Sequence, residues 1–386
     1  MYLRYCKSCI IPETKPDIQI FEDGECDACK SFKDRKKINW EKRKKELLKI
    51  IKKFKSKNNN YDCIVPVSGG KDSVYQTLKA LELDLNPLCV VATTDMLSDI
   101  GRKNIESLKK LGVDCIEYTS NPIIRRKINF FTLETLGDIS WAEHITIFTI
   151  PVRISVNMKI PLIIWGENSQ NENGGPDYMR NNNILDRKWL EEFGGLLAFR
   201  TSDVSKILKL PQKSLIPYTY PNEKELKKNK TTGIFLGHYI PWDGYSNMKL
   251  AVKNGFEVYG KNVEGNLVNY ENLDNLQMRV HDYFKFLKYG YDRITDWCCW
   301  HIRRGRMNRE ESIKIAKEKG GKYPSTYLNV SLEKILNEIN CSEEKFLEIC
   351  KKFTNPRIFR CDNQGLPILD KNKNLEKINY DNISEK

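Results

Sequence analysis

Apolar positions between Asp62 and Trp165 fall into two rhythms. Short, nearly continuous apolar runs cover Asp62–Val67, Pro87–Thr93, Val113–Tyr118 and Ile160–Trp165. Between them lie longer stretches that read as helices, over Ser73–Leu83, Asp99–Leu111, Ile123–Leu136 and Ala142–Met158. Short buried strands joined by helical crossovers predict an α/β fold with a doubly wound parallel sheet. Ligands in such sheets bind beyond the carboxyl ends of the strands. Three turns stand at such ends: the one opening at Ser68, Thr94-Asp95, and the one opening at Gly166.

The flanks of this alternating region read differently. Residues 1–57 hold two Cys-x-x-Cys pairs, Cys6/Cys9 and Cys26/Cys29, then an amphipathic stretch in which Leu47, Ile51 and Phe54 recur at helical spacing among lysines. Residues 58–236 carry the strands and helices. Residues 237–386 are less regular and aromatic-rich, and form a substrate or partner region that closes in capped helices. Asn308 and Ser331 stand where helix N-caps belong. The polar tail after Asp370 reads as frayed.

At 386 residues the chain is long enough for two or three domains and a full core. No apolar run approaches the ~18 residues of a membrane span, and the N-terminus lacks a signal-peptide core, so a soluble cytoplasmic protein is expected. The net charge of +13 invites a nucleic-acid reading, but Lys30–Lys57 alone holds 14 Lys/Arg against 3 Asp/Glu and leaves only +2 to the other residues. A solvated lysine-rich helix accounts for one local segment of this kind, and the distribution argues against nucleic acid.

The twelve cysteines change the picture at the N-terminus. Two Cys-x-x-Cys pairs supply four thiolates, enough to close a tetrahedral structural Zn2+ site, and the Pro- and Gly-containing segment between them suits a zinc ribbon. An iron–sulfur cluster uses the same ligands and stays open on this reading. A closed four-cysteine site has no free position for chemistry.

The segment "VPVSGGKDSV" (Val65–Val74) joins a strand to a helix through a Gly-Gly turn. Such a turn brings backbone amides close to a phosphate at a helix N-terminus. It is not a Walker A loop. The first glycine of that motif and the Ser/Thr after its lysine are both missing. Ser68, Gly69, Gly70, Lys71, Asp72 and Ser73 are the candidates for holding the phosphates, with Asp72 reading as a ligand of Mg2+ or a fixer of the turn.

SGGKDS directly after the first strand resembles the PP-loop ATP pyrophosphatases. The resemblance implies an adenine-nucleotide-hydrolase-like sheet and a loop that grips the pyrophosphate of ATP while the α-phosphate is attacked. It also implies a second nucleotide contact after the fourth strand, here "WGENSQNENGG" (Trp165–Gly175), where Gly166 and Asn168 are candidates. Thr94 and Asp95, after the second strand, are further ones.

Four longer blocks are similar to the N-acetyl sugar amidotransferases of O-antigen and nonulosonic-acid pathways: "IPLIIWGENSQNENGG", "FLGHYIPWDGYSNMKLAVKNGF", "NYENLDNLQMRVHDYFKFLKYGYDRITDW" and "IRRGRMNREESIKIAKEKGGKYP". "CKSCIIPETKP" and "CDAC" resemble the same family; "DWCCWHI" departs from its pattern. The resemblance implies adenylation of an acetamido oxygen on an N-acetylated sugar or nucleotide sugar, then displacement of AMP by ammonia to leave an acetamidino group. The ammonia would come from a glutaminase paired with a barrel subunit.

Within that chemistry Lys71 would stabilise phosphate charge and Glu167 would take a proton from ammonia, or else cap a turn or touch a ribose. Tyr239, Trp242 and Tyr291 would stack on a sugar, or else serve as core aromatics. Asp243 would hold a hydroxyl or only its own turn, and His281 reads as a substrate contact or a satisfied helix histidine. Arg303, Arg304 and Arg306 would meet a carboxylate or diphosphate, or lie in a solvated turn. Two rivals remain: a PP-loop tRNA thiolase with a zinc ribbon, and a non-catalytic nucleotide-binding subunit.

Overall fold

A computed structural model describes residues 3–57, 59–167, 169–176 and 183–378. The first β-strand, β1 (Cys63–Val67), lies inside a six-stranded sheet. Around it stand β2 (Pro87–Ala92), β3 (Asp114–Tyr118), β4 (Leu162–Trp165), β5 (Ile184–Leu185) and β6 (Thr232–Phe235). The order is β3-β2-β1-β4-β6-β5. All pairings are parallel except the edge pair β5–β6, which is antiparallel. The sequence expectation of a doubly wound parallel sheet thus holds, with one short antiparallel edge strand added.

The chain winds outward from β1 in both directions, so the topological switch point falls between β1 and β4. The two ladders of β1 are unequal. Its pairing with β2 runs the whole strand, Cys63–Pro87 through Val67–Val91. Its pairing with β4 is a single register, Ile64 with Ile163. Pro66 has no N–H to give a further rung. The carboxyl ends of β1 and β4 are therefore left untied where a ligand crevice belongs.

Both faces of the sheet are covered. Val65, Cys89, Val91, Ile164 and Ile234 pack against the helices α2 (Trp40–Phe54), α3 (Lys71–Glu82) and α4 (Asp99–Lys109). Ile64, Leu88, Val90, Ile163 and Phe235 face the other way, onto α6 (Trp141–Met158), which follows α5 (Pro122–Leu136). This is why the strands read as continuous apolar runs. Helix α3 begins at Lys71 rather than at Ser73, because Gly70 is extended (φ −73°, ψ 165°) and acts as the N-cap.

The N-terminal segment forms two cysteine knuckles and the short helix α1 (Asp27–Asp34), tied by bridges at Tyr5–Pro12 and Ile20–Cys26. The C-terminal region is helical over Met278–Tyr289, Arg293–Arg303, Arg309–Lys319, Leu332–Asn337 and Glu343–Phe353. Asn308 and Ser331 cap two of these helices as expected, accepting from Glu311 N and Lys334 N. Residues 371–377, expected to fray, are folded back, and residues 379–386 lie outside the described residues. Bridges Leu369–Leu375 and Phe359–Lys377 fold residues up to 377 back, around a turn in which Asp370 accepts from the amides of Asn372 and Asn374. No helix among the described residues is long and apolar enough to cross a membrane.

Helix α2 shows one face to the core and another to water. Leu47 is fully buried, while its neighbour Leu48 is 45% exposed. Replacing Leu47 by alanine is expected to cost about 2–5 kcal/mol. The same change at Leu48 should stay within about 0.5 kcal/mol. Denaturant unfolding of the two variants checks this; equal losses would mean that the helix is docked by another face.

Candidate active site

The turn after β1 is built to leave donors free. Gly69 has φ +84°, and a Cβ there would meet Ile105 Cγ1 at 2.7 Å, so only glycine fits. The Ser73 hydroxyl accepts from the Ser68 amide (2.9 Å) and the Ser68 hydroxyl from the Gly70 amide (3.4 Å). The first amide bonded inside α3 is that of Val74, to the Gly70 carbonyl. The N–H groups of Lys71, Asp72 and Ser73 therefore have no partner among the described residues and open a helix N-terminus, the arrangement that binds phosphate.

Lys71 is buried and paired with two carboxylates, Asp72 and Glu271. Burial pulls its ammonium down, but the charges of Asp72 and Glu271 outweigh that and hold it above the ordinary lysine value. Asn247 donates to the other Asp72 oxygen at 2.8 Å. Glu271 comes from a segment laid across the start of α4. There Ser98 N reaches the Asp274 carbonyl (3.0 Å) and Leu276 N the Met96 carbonyl (3.0 Å). Asp274 faces Ser68, and burial raises its carboxyl.

Two cavities meet at this turn. One, about 460 Å3, is mostly apolar and lies over the carboxyl ends of the strands, lined by Val67, Ala92, Ile147, Phe148 and Trp165. The other, about 650 Å3, is polar and aromatic, with Trp242, Tyr270, Tyr291, Trp297 and Trp300 among carboxylates and cations. Ser68, Ser73, Ile147, Glu167 and Ser169 line both. Glu167 opens to the cavity, yet the surrounding walls crowd its carboxyl: desolvation, then the charge of Asp72, pushes it up to about 7. A Cβ at Gly166 would lie 2.9 Å from Gln76 Nε2 and 3.2 Å from Trp242 Cη2, so a larger residue there would push the Gln76 amide aside.

The loop after Glu167 is clamped from two sides. Asp27, next to a knuckle cysteine, accepts from the Gly175 amide (2.8 Å). Glu172 meets Arg35 from the N-terminal segment (2.5 Å) and Arg304 from the C-terminal region (2.9 Å). Burial would raise Glu172, but these two guanidiniums outweigh it and hold it low. Trp300 Nε1 donates to Asn173 Oδ1 at 3.0 Å.

The four knuckle cysteines are buried, free of disulfides, and their sulfurs all lie within 4.8 Å of one another. Cys9–Cys26 is 3.8 Å and Cys6–Cys29 is 3.9 Å. A tetrahedron with metal–sulfur bonds of about 2.3 Å has an edge of about 3.8 Å. The amides of Cys9 and Cys26 donate to Cys6 Sγ, and that of Cys29 to Cys26 Sγ, as suits thiolates. These residues fit one ion such as Zn2+, whereas a multi-iron cluster interposes sulfides and would spread the cysteines apart. Among the described residues no other His/Cys/Asp/Glu group is spaced to hold a metal.

The sequence candidates separate on this map. Lys71, Asp72, Ser68, Gly70, Ser73, Glu167, Trp242, Asp243 and Tyr291 line the polar cavity, and Gly166 the apolar one. Asp243 also caps its helix at Ser246 N and is gripped by Arg304 (2.9 Å) and Arg306. Asn168 lies outside the described residues.

Tyr239, His281 and Thr94 lie outside the two cavities, and Tyr239 and His281 take the second of the two readings given for each. Tyr239 is 1% exposed and lines neither cavity; its hydroxyl accepts from Asn183 (2.6 Å) and its ring lies edge-on to His238. His281 is spent on Asp138 (2.9 Å) and on the His144 ring; it lines neither cavity, although His144 lines the apolar one. Thr94 lies past the end of β2, buried, and lines neither cavity. Glu271, Asp274 and Glu172 were missed, since charged residues in polar segments carry no local signal, and Lys285 was missed inside the apolar run Tyr283–Leu287. "DWCCWHI" resolves into two faces: Cys298 and Cys299 pack toward the knuckles, while Trp297, Trp300 and His301 line the cavity.

Comparison with known proteins gives partial matches. Residues 259–374 match the family model described as LPS biosynthesis protein WbpG-like, C-terminal domain. That stretch supplies the Glu271–Arg306 wall of the polar cavity. The uncharacterized protein MJ1599 of Methanocaldococcus jannaschii is 39% identical over 74 residues, 19% of this chain. The chain thus spans about a quarter of the length of this curated relative (26%). Among solved structures, NMN synthetase from Francisella tularensis overlaps with TM-score 0.28 at 13% identity, covering 58% of this chain and 89% of that one. NH3-dependent NAD synthetase from Campylobacter jejuni overlaps with TM-score 0.27 at 16% identity, covering 58% of this chain and all of that one (100%). Overlaps this loose carry no inference, and the fold stands on the strand order above.

Metal analysis of the purified chain is expected to find about one zinc per chain. Cys26→Ser should lose it and lower the unfolding midpoint, and the loop held by Asp27 should become easier to cleave with protease. Iron with a visible charge-transfer band, or full metal content in the variant, would contradict the assignment.

Proposed function

We propose that the protein is an ATP-dependent amidotransferase acting on an N-acetylated sugar. The observation that carries the reading is the junction of an apolar slot and a polar, aromatic cavity at a phosphate-binding turn, with Glu167 on the shared wall. The slot suits an adenosine and the free amides of Lys71–Ser73 suit its phosphates. Rings among carboxylates suit a sugar, whose apolar faces stack and whose hydroxyls need acceptors.

The acetamido oxygen attacks the α-phosphorus, pyrophosphate leaves, and an O-adenylated imidate forms. Lys71 turns its charge from Asp72 and Glu271 to the phosphates and stabilises charge as the P–O bond breaks. Asp72, Glu271 and Asp274 on the cavity wall would supply hard oxygen donors to a Mg2+, whose charge would offset that of the phosphates. Ammonia then attacks the imidate carbon, Glu167 takes its extra proton, and AMP leaves with the original oxygen. An acetamidino group remains. A glutaminase with a barrel subunit is the proposed ammonia source. The thiolase alternative lacks a sulfur carrier here, since no cysteine lines either cavity among the described residues. Cys89, in β2, is pushed up to about 12 by burial, which makes its thiol inert.

A carboxyl raised to about 7 is the base only above that pH, so turnover at fixed free ammonia should fall as pH drops through about 7. Glu167→Gln should lower amidine formation by about 10²–10⁴-fold and remove this pH limb. It should leave sugar-dependent ATP–pyrophosphate exchange in place, because adenylation precedes the proton transfer. Unchanged turnover in the variant, or formation of ADP instead of AMP, would overturn the reading.

A further inference from the structure

A groove of about 970 Å3 runs outside the polar cavity, between the N-terminal segment and the C-terminal region. It shares Trp242, Asp243, Arg304 and Arg306 with the cavity wall, so the two are continuous. Seven lysines and arginines line it against two aspartates.

Some of these charges are already matched. Arg35 and Arg304 meet Glu172, and Arg304 and Arg306 meet Asp243. Lys30 meets Asp23 (2.8 Å) and Arg303 faces the knuckle sulfurs, whereas Lys36 and Arg43 have no carboxylate at ion-pair distance among the described residues. Arg43 and Arg303 instead donate to the carbonyls of His238 (2.7 Å) and Glu172 (2.8 Å). Rings hold several of the cations in place: Arg35 and Arg304 lie over Phe32 (5.3 and 5.2 Å), and Arg43 over Trp40 (5.7 Å). Seven cations against two aspartates, with Arg43 held in place and without a carboxylate partner, leave a surplus of positive charge that suits a compact, multiply charged anion.

We propose that this groove binds the diphosphate of a carrier-linked sugar, whose sugar end then reaches the polar cavity past Trp242. The anion site rests on the groove alone; that its cargo is the acceptor rests on the reaction proposed above. The groove is short and ends at the cavity, where an RNA would need a longer basic track. The carrier, nucleoside or polyprenol, shares the same diphosphate chemistry.

The test is equilibrium binding by calorimetry to the full chain, with the nucleotide turn saturated by α,β-methylene-ATP. UDP-N-acetylglucosamine and a short polyprenyl-diphosphate N-acetylglucosamine are compared with free N-acetylglucosamine. At least one diphosphate ligand should bind about tenfold tighter than the free sugar, and which one names the carrier. Lys36→Glu and Arg43→Ala should each weaken that ligand about tenfold while leaving α,β-methylene-ATP binding unchanged. Equal binding of free and diphosphate-linked sugar, no effect of either variant, or Lys36-dependent binding of tRNA alone would overturn the proposal. AMP release from free sugar that ignores both variants would remove the groove and keep the reaction. Diphosphate binding with no AMP from any sugar would keep the groove and remove the reaction.

Discussion

A buried ammonium must be paired, and Lys71 finds its partners in two different parts of the chain. Asp72 is its neighbour in the phosphate-binding turn, and Glu271 arrives from the C-terminal region. One charge thus joins the sheet to the segment that closes the cavity over it. The pairing also stores an exchange. On the proposed reading, a polyphosphate at the amides of Lys71–Ser73 would offer Lys71 a stronger partner and would free Asp72 and Glu271 as hard oxygen donors.

The rest of the site hangs on the same economy of charge. Pro66 leaves β1 and β4 untied at their carboxyl ends, which makes room for the ligand. The freed loop after β4 is then held by Asp27 and Arg35 on one side and by Arg303 and Arg304 on the other. The cysteine knuckles therefore do more than close a small domain: through Asp27, beside Cys26, they hold the far end of this loop at Gly175.

The sheet, the SGGKDS turn and the four thiols were legible because each rests on local sequence. Strand runs, a Gly-Gly turn and paired cysteines carry their meaning within a few residues. Glu271, Asp274 and Glu172 did not, because only the folded topology brings them to Lys71 and Arg304. Tyr239 and His281 misled for the converse reason. An aromatic or imidazole suits a sugar site and a core equally well, and here Asn183 and Asp138 claim their polar atoms. The basic run at Lys30–Lys57 also divided in a way composition could not show. Lys30, Arg35, Lys36 and Arg43 turn to the groove, while many of the later lysines face water.

The central claim is that the oxygen of an acetamido group attacks the α-phosphorus of ATP. The most direct measurement supplies an N-acetylated acceptor labelled with oxygen-18 at its carbonyl, together with ATP and ammonia, and weighs the released AMP. The account predicts one labelled oxygen in the phosphate of AMP for each amidine formed. Unlabelled AMP, or label in inorganic phosphate with ADP as product, would contradict it.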